Sequence, residues 1–420
     1  MVLRKTTTFV VFINQLHKTR IMLTSLALTF LLGLVLGYAS VRIKLPSLIG
    51  MLLTGIILGP ILGLIDPLRA ISVDLRQLAL VIILTRAGLA LNLDELKRVG
   101  RPAILMCFVP ACFELVGITL LAPRLLDVSV LEAAIIGTVV AAVSPAVIVP
   151  KMLRLMDEKY GTKQSIPQMI MAGGSVDDVF VIVLFTAFTG LAMGGHISTL
   201  SFLQIPSSIL LGLAVGITIG YLLVQFFKFY HMRDSVKVVI ILSFSFLLMA
   251  LEHQLKGLVE GTHFAFVSIS GLLAVMSMSG AILHNYDVLA VRLSGKFGKL
   301  WVAAEILLFV LVGAEVNIDA AISGGIASIL LVIGGLLFRM VGVFVCVLGT
   351  NLTMKERLFC MIAYLPKATV QAAIGSLPLA WGLECGQKVL TVAVLAILIT
   401  APIGAFGIEM TYKKLLTQEE

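Results

Sequence analysis

A chain of 420 residues with 59% hydrophobic and only 13% charged residues falls far short of the roughly one-quarter charged content of a soluble domain. Its apolar residues come in runs of about 18 to 25, the length that crosses a hydrocarbon core of about 30 Å. A soluble fold is excluded and an all-α polytopic membrane protein is predicted. The net charge of +8 calls for no nucleic acid; it sits in basic loops, and the lipid bilayer is the partner.

Residues 1–21 form a basic or interfacial segment carrying Arg4, Lys5, Lys18 and Arg20. Its apolar stretch TFVVFI is too short for a cleavable signal peptide and lacks a small-residue cleavage site. An interfacial or short inserted element near Thr6–Leu16 is expected instead. Thirteen spans follow, near 22–41, 46–65, 73–91, 101–122, 131–153, 166–194, 205–228, 236–251, 257–284, 298–316, 323–349, 356–381 and 388–412. Loops after odd-numbered spans, with the tail 413–420, hold nineteen Lys and Arg against five in the loops after even-numbered spans. That asymmetry puts the C-terminus in the cytoplasm. Gly195–Gln204 carries neither Lys nor Arg and reads as an external loop. The expected location is a cell membrane, a prokaryotic inner or plasma membrane. Cys107, Cys112, Cys346, Cys360 and Cys385 form no CxxC pair and read as small helix hydrophobes.

The chain aligns with itself. SLIGMLLTGIILGPIL (47–62) lies over SISGLLAVMSMSGAIL (268–283), matching Ser47, Gly50 and Gly59 to Ser268, Gly271 and Gly280 at an offset of 221, and Pro145 to Pro366 at the same offset. Two six-span repeats, 22–194 and 236–412, joined by a linker helix at 205–228, follow. Seven spans separate equivalents, so the copies have inverted topology, a secondary-transporter signature. AAVSPAVIVPK (141–151) and AYLPKATVQAAIG (363–375) place Pro145 and Pro366 at mid-membrane among small residues. Proline removes a backbone donor and crowds the preceding turn, so two discontinuous helices are predicted there, lining a cavity.

Five charged residues deep in the spans need partners: Glu114, Asp177, Asp178, Arg339 and Lys367. Each carboxylate in hydrocarbon costs roughly 2.5 to 3.5 kcal/mol on insertion scales, so partners are required. Glu114 and Arg339 occupy equivalent spans of the two repeats, which allows an ion pair across the core. Lys367 can offset carbonyl ends at the break or pair with an aspartate. Arg86, nearer a span end, is expected to snorkel. Asp177 and Asp178 point about 100° apart on one helix, so one can face the cavity while the other faces protein. A semi-dry carboxylate pair holds a proton or a small cation, not both well, which is the chemistry of exchange. Ser144, Ser175 and Thr369 offer neutral oxygens as ligands for such a cation or as helix-to-helix donors. His253 and His263 are expected to be satisfied or solvated, and Glu305 and Glu315 lie toward the ends of the tenth span.

AAVSPAVIVP, AGGSVDDVF, LVGAEVNID and YLPKATVQAAIGSLPLA with ILITAPIGA resemble the monovalent cation:proton antiporters, and among them the NHA-type sodium/proton antiporters, from about the second span to the last. The resemblance implies the NhaA-like inverted-repeat fold, interleaved dimerisation and core domains, an elevator-like motion and a homodimer. It implies Na⁺ or Li⁺ and H⁺ as the transported ions, no cofactor and no enzymatic activity. It makes Asp178 the principal carrier of cation and proton, with Asp177 assisting. Arg339 stands where many electrogenic relatives hold lysine, and NHA-type members pair it with a glutamate that matches Glu114; the stoichiometry is left open. Rival readings are a sodium-coupled organic-anion symporter with crossed broken helices, an intramembrane aspartyl protease and a cation channel. The protease needs its two aspartates on different helices, and these are adjacent on one.

Overall fold

The computed structural model describes residues 22–43, 45–89, 100–193, 199–259, 269–316 and 325–419. The element expected near Thr6–Leu16, together with His263 and Ser268, lies outside them, as do the side chains of Ser175 and His253. In chain order the helices are α1 (Met22–Arg42), α2 (Ser47–Ile56, prolonged by a π-turn over Ile57–Ile61), α3 (Ser72–Leu89), α4 (Arg101–Met106) and α5 (Val109–Leu126). Next come α6 (Val130–Ala141), α7 (Pro145–Asp157), α8 (Ile166–Met193), α9 (Thr199–Phe229), α10 (Asp234–Val259), α11 (Gly271–Asn285) and α12 (Asp287–Ala314). The chain closes with α13 (Gly325–Cys346), α14 (Met354–Ala363), the short α15 (Thr369–Ile374) and α16 (Leu377–Ala380), and α17 (Gly386–Leu415). Among the described residues there is no strand beyond a single bridge between Tyr160 and Gln418.

Eight of the described helices are long and apolar enough to cross a membrane: α1, α4 with α5, α8, α9, α10, α12, α13 and α17. Shorter apolar helices are α2, α6, α11 and the α15–α16 pair. Two boundaries differ from the sequence reading. The stretch read as an external loop, Gly195–Gln204, is already helical from Thr199, since nothing between Thr199 and Ile205 breaks a helix. The tenth expected span, α12, begins at Asp287 rather than near 298. Its first turns are amphipathic, burying Leu289, Leu293 and Phe297 while Arg292 and Lys296 stay exposed, so a search for uniform apolarity passes over them. Glu305 thereby falls in the body of that helix, not toward its end.

The helices pack in two groups. In one, α5 lies along α13 and α6, α8 lies against α6 and α7, and α17 packs on α6 and α14. In the other, α9 joins α11, α3 joins α11 and α12, and α2 joins α1 and α12. The second group is tight because Gly55 and Gly313 meet; a Cβ on Gly313 would sit 3.2 Å from the Gly55 Cα and strike the Leu52 carbonyl.

Two local signals set where the interrupted helices begin. Ser129 caps α6 and Thr353 caps α14, each in a reciprocal box with the glutamate three residues on, Glu132 and Glu356. Both boxes satisfy two orphan donors of the first turn. Both helices then stop short of the following proline. Ala142 turns extended after α6, and Pro145 opens α7 at its first position, where a missing N–H costs nothing. Pro366 lies in the break between α14 and α15, against Gly404 of α17.

Candidate functional site

The two breaks meet. The Ser144 N–H donates to the Pro366 carbonyl at 2.8 Å. Several other backbone groups freed there bond to side chains from elsewhere in the chain. The Val143 N–H donates to Asp177 Oδ2 at 2.9 Å, and the Lys367 N–H to Thr400 Oγ1 at 2.9 Å. Arg339 donates from Nε to the Tyr364 carbonyl at 2.9 Å and from Nη1 to the Ala141 carbonyl. Gln371 Nε2 donates to the Ala142 and Val140 carbonyls at 2.8 and 3.3 Å. Unsatisfied backbone in a bilayer costs several kcal/mol per group, so these side chains are what lets the helices stay open.

The charged residues form one cluster. Arg339 Nη1 lies 2.9 Å from Glu114 Oε2, and its Nη2 lies 3.0 Å from Asp177 Oδ2. Lys367 Nζ lies 2.8 Å from the same Glu114 oxygen. All four side chains are fully buried. Glu114 and Arg339 are thus brought together, as pseudo-symmetry allows. Lys367 pairs with Glu114 rather than with an aspartate, because α5 places that carboxylate between the two cations. The Tyr364 ring lies under the guanidinium, 5.2 Å from centroid to Cζ, and its hydroxyl donates to the Met106 carbonyl at 3.1 Å.

Asp178 stands apart from this cluster. It is 8% exposed and borders a cavity of about 20 Å³, room for roughly one water. Leu84, Ala87 and Met276 close the cavity from α3 and α11; Ile182, Thr369 and Val370 close it from α8 and α15. The cavity therefore lies between the two helix groups. Asp178 Oδ1, Asp177 Oδ1 and Ser144 Oγ are buried and have no partner within the protein. These three unpaired oxygens are of the kind that suits a hard cation, and Thr369 lines the cavity beside Asp178. Among the described residues no cluster of three His, Cys, Asp or Glu could hold a resident metal.

The remaining sequence candidates lie elsewhere. Glu315 accepts from Ser72 Oγ at 3.3 Å and lies 3.8 Å from Arg76 Nη2, away from the aspartates. Arg86 is half-buried, within electrostatic range of Glu305. Gln371 and Thr400 were not singled out from sequence. Gln371 lies inside a motif that was, but nothing in the chain marks an amide as the cap of a helix 231 residues away.

A protein-family model described as the transmembrane sodium/hydrogen exchanger matches residues 26–414. The chain is 34% identical to human sodium/hydrogen exchanger 9B2 over 395 residues, covering 90% of this chain and 71% of that protein. It is 33% identical to mouse sodium/hydrogen exchanger 9B1 over 404 residues, covering 93% and 70%. In fold it is similar to the sodium proton antiporter MjNhaP1 of Methanocaldococcus jannaschii, with a TM-score of 0.81 at 20% identity, covering 94% of this chain and 98% of that one.

Proposed function

This chain belongs to the sodium/hydrogen exchanger family, and from that premise we propose that it exchanges Na⁺ or Li⁺ for H⁺ across a membrane at Asp178. It is an antiporter of the monovalent cation:proton superfamily; the symporter reading has no support among its relatives. A charge count carries the assignment to Asp178. Arg339 and Lys367 supply two positive charges, and Glu114 and Asp177 two negative ones, all within 3.0 Å contacts. They cancel. Among the described residues Asp178 is then the one surplus acid beside the cavity, and in a low-dielectric site it must hold either a proton or a cation. Loading Na⁺ releases the proton and loading the proton expels Na⁺, so each ion leaves only in exchange for the other. Asp177, bound to Arg339, keeps one free oxygen and assists as a ligand, with Ser144 and Thr369 supplying neutral ones. Arg339 cannot give up its proton, so it is not a proton carrier.

The chain crosses the bilayer thirteen times in this reading, as two inverted six-helix repeats (22–194 and 236–412) about the linker 205–228, with the C-terminus in the cytoplasm. The helices packed around α5, α6 and α13 act as a mobile core. The group containing α2, α3, α11 and α12 acts as a scaffold that pairs two copies in a homodimer. Because the cavity lies between the groups, an elevator-like slide of the core opens Asp178 to one side and then the other. Proteoliposome flux tests the assignment. Wild-type protein should acidify or alkalinise the lumen only when sodium is driven the opposite way, and Asp178→Asn should abolish that flux. Cation-dependent proton flux at wild-type rate in Asp178→Asn would refute it.

A further inference from the structure

Side-chain oxygen lines only one side of the cavity at Asp178. Among the described residues around it, Asp178 on α8 and Thr369 on α15 carry the oxygens. The opposite wall is made by Leu80, Ile83, Leu84 and Ala87 of α3 and by Met276 of α11. None of these side chains offers a hard cation a ligand, the thioether of Met276 being a soft one. On that side, any oxygen around a cation has to come from water, and a cavity of about 20 Å³ holds roughly one. Cavity size and ligand number are what separate cations of like charge. A site with few fixed oxygens and one water satisfies a small ion, and leaves a larger one short of the hydration shell it gave up.

Met276 is buried and is the side chain that α11 sends into the cavity. Its backbone has no room to withdraw. A Cβ on Gly88 of α3 would lie 2.5 Å from the Met276 carbonyl oxygen, and Cβ atoms on Gly216 and Gly220 of α9 would strike the carbonyls of Ala274 and Met278. The helix is thus wedged between α3 and α9, and an interior packed this closely yields little. The space left beside Asp178 is then governed by the length of the side chain at position 276. We infer that Met276 is a specificity-determining residue, whose bulk limits the transported cation to about one retained water and so admits Na⁺ or Li⁺ while excluding K⁺. The inference rests on the exchange reading above. It asks for the volume of Met276 and nothing of its sulfur. Met276→Ala cuts the side chain back to Cβ and makes room for about two further waters.

The test is the ion preference of cation-driven proton flux in proteoliposomes bearing the full chain, read as kcat/KM for Na⁺ divided by kcat/KM for K⁺. Wild type should favour Na⁺, and Met276→Ala should lower the ratio by about tenfold or more. A folded Met276→Ala protein with the wild-type ratio overturns the inference, whatever its melting temperature. Loosened packing alone would slow both cations alike and leave the ratio where it was. Met276→Leu keeps the volume without the sulfur and should hold K⁺ out; a ratio as low as that of Met276→Ala would overturn the argument from bulk. Should Met276→Ala fail to fold, Met276→Val, which reaches only to Cγ, takes its place: a lowered ratio supports the inference, and the wild-type ratio overturns it. Wild type that exchanges K⁺ as readily as Na⁺ removes this inference and leaves exchange standing. Wild type without any cation-dependent proton flux would remove the exchange reading itself.

Discussion

Removing one member of the buried ion cluster should cost far more than its share of a pair. In Glu114→Gln, Arg339 and Lys367 face only Asp177, and Lys367 loses the carboxylate 2.8 Å from its ammonium. In Arg339→Gln, Glu114 keeps Lys367, but Asp177 loses its guanidinium at 3.0 Å, and the Tyr364 and Ala141 carbonyls lose their donors. Each change leaves one uncompensated buried charge, a loss of about 3 to 5 kcal/mol. The double variant leaves Lys367 and Asp177, whose charges cancel, so its net cost is close to that of the larger single change. The singles would otherwise sum to about 6 to 10 kcal/mol, so the expected coupling is on the order of 3 kcal/mol. Equilibrium unfolding in mixed detergent and dodecyl sulfate micelles gives the four free energies of the cycle. Additivity within about 0.5 kcal/mol would refute the cancelling-charge picture.

Two further outcomes follow from single side chains. Ser144 Oγ is buried with no partner in the protein, so Ser144→Ala should change stability by less than about 0.5 kcal/mol. The same variant should raise KM for Na⁺ by about threefold to tenfold, the loss of one neutral ligand; an unchanged KM in flux assays would remove Ser144 from the site. At the loop end of α7, Arg154 lies 2.6 Å from Glu158 and 2.8 Å from Glu409 of α17. The Arg154 hydrogen bond holds the Glu158 carboxyl below its ordinary value. A depressed folded value means stabilisation that is fully present above the unfolded value, about 4.3, and is lost as pH falls through the folded one. Glu158→Gln should therefore melt earlier than wild type at neutral pH, with the gap closing in acid; a gap constant across that range would contradict the pairing.

What the sequence discloses here depends on rarity. A charge inside an apolar run stands out because its cost is high, so Glu114, Asp177, Asp178, Arg339 and Lys367 are found one by one, and a matched proline pair locates both breaks. Partner choice is less visible. The offset of 221 relates Glu114 to Arg339, yet nothing local says that Lys367 shares the same carboxylate oxygen. Gln371 and Thr400 escape altogether, since an amide or hydroxyl in a membrane helix is ordinary and becomes a cap only where two broken helices cross. The amphipathic start of α12 is hidden for the opposite reason: Arg292 and Lys296 read as loop until Leu289, Leu293 and Phe297 are seen buried on the other face. Conversely, Ser129 with Glu132 and Thr353 with Glu356 are capping signatures that could have marked where both broken helices begin.

The central claim is that the cluster is neutral without Asp178, so sodium and a proton are alternatives at that carboxyl. Calorimetric titration of sodium into the detergent-purified protein, repeated in buffers of different ionisation enthalpy, counts protons released per cation bound. The account requires a release approaching one proton per sodium at acidic pH, absent from Asp178→Asn. Sodium binding whose heat is the same in every buffer would contradict it.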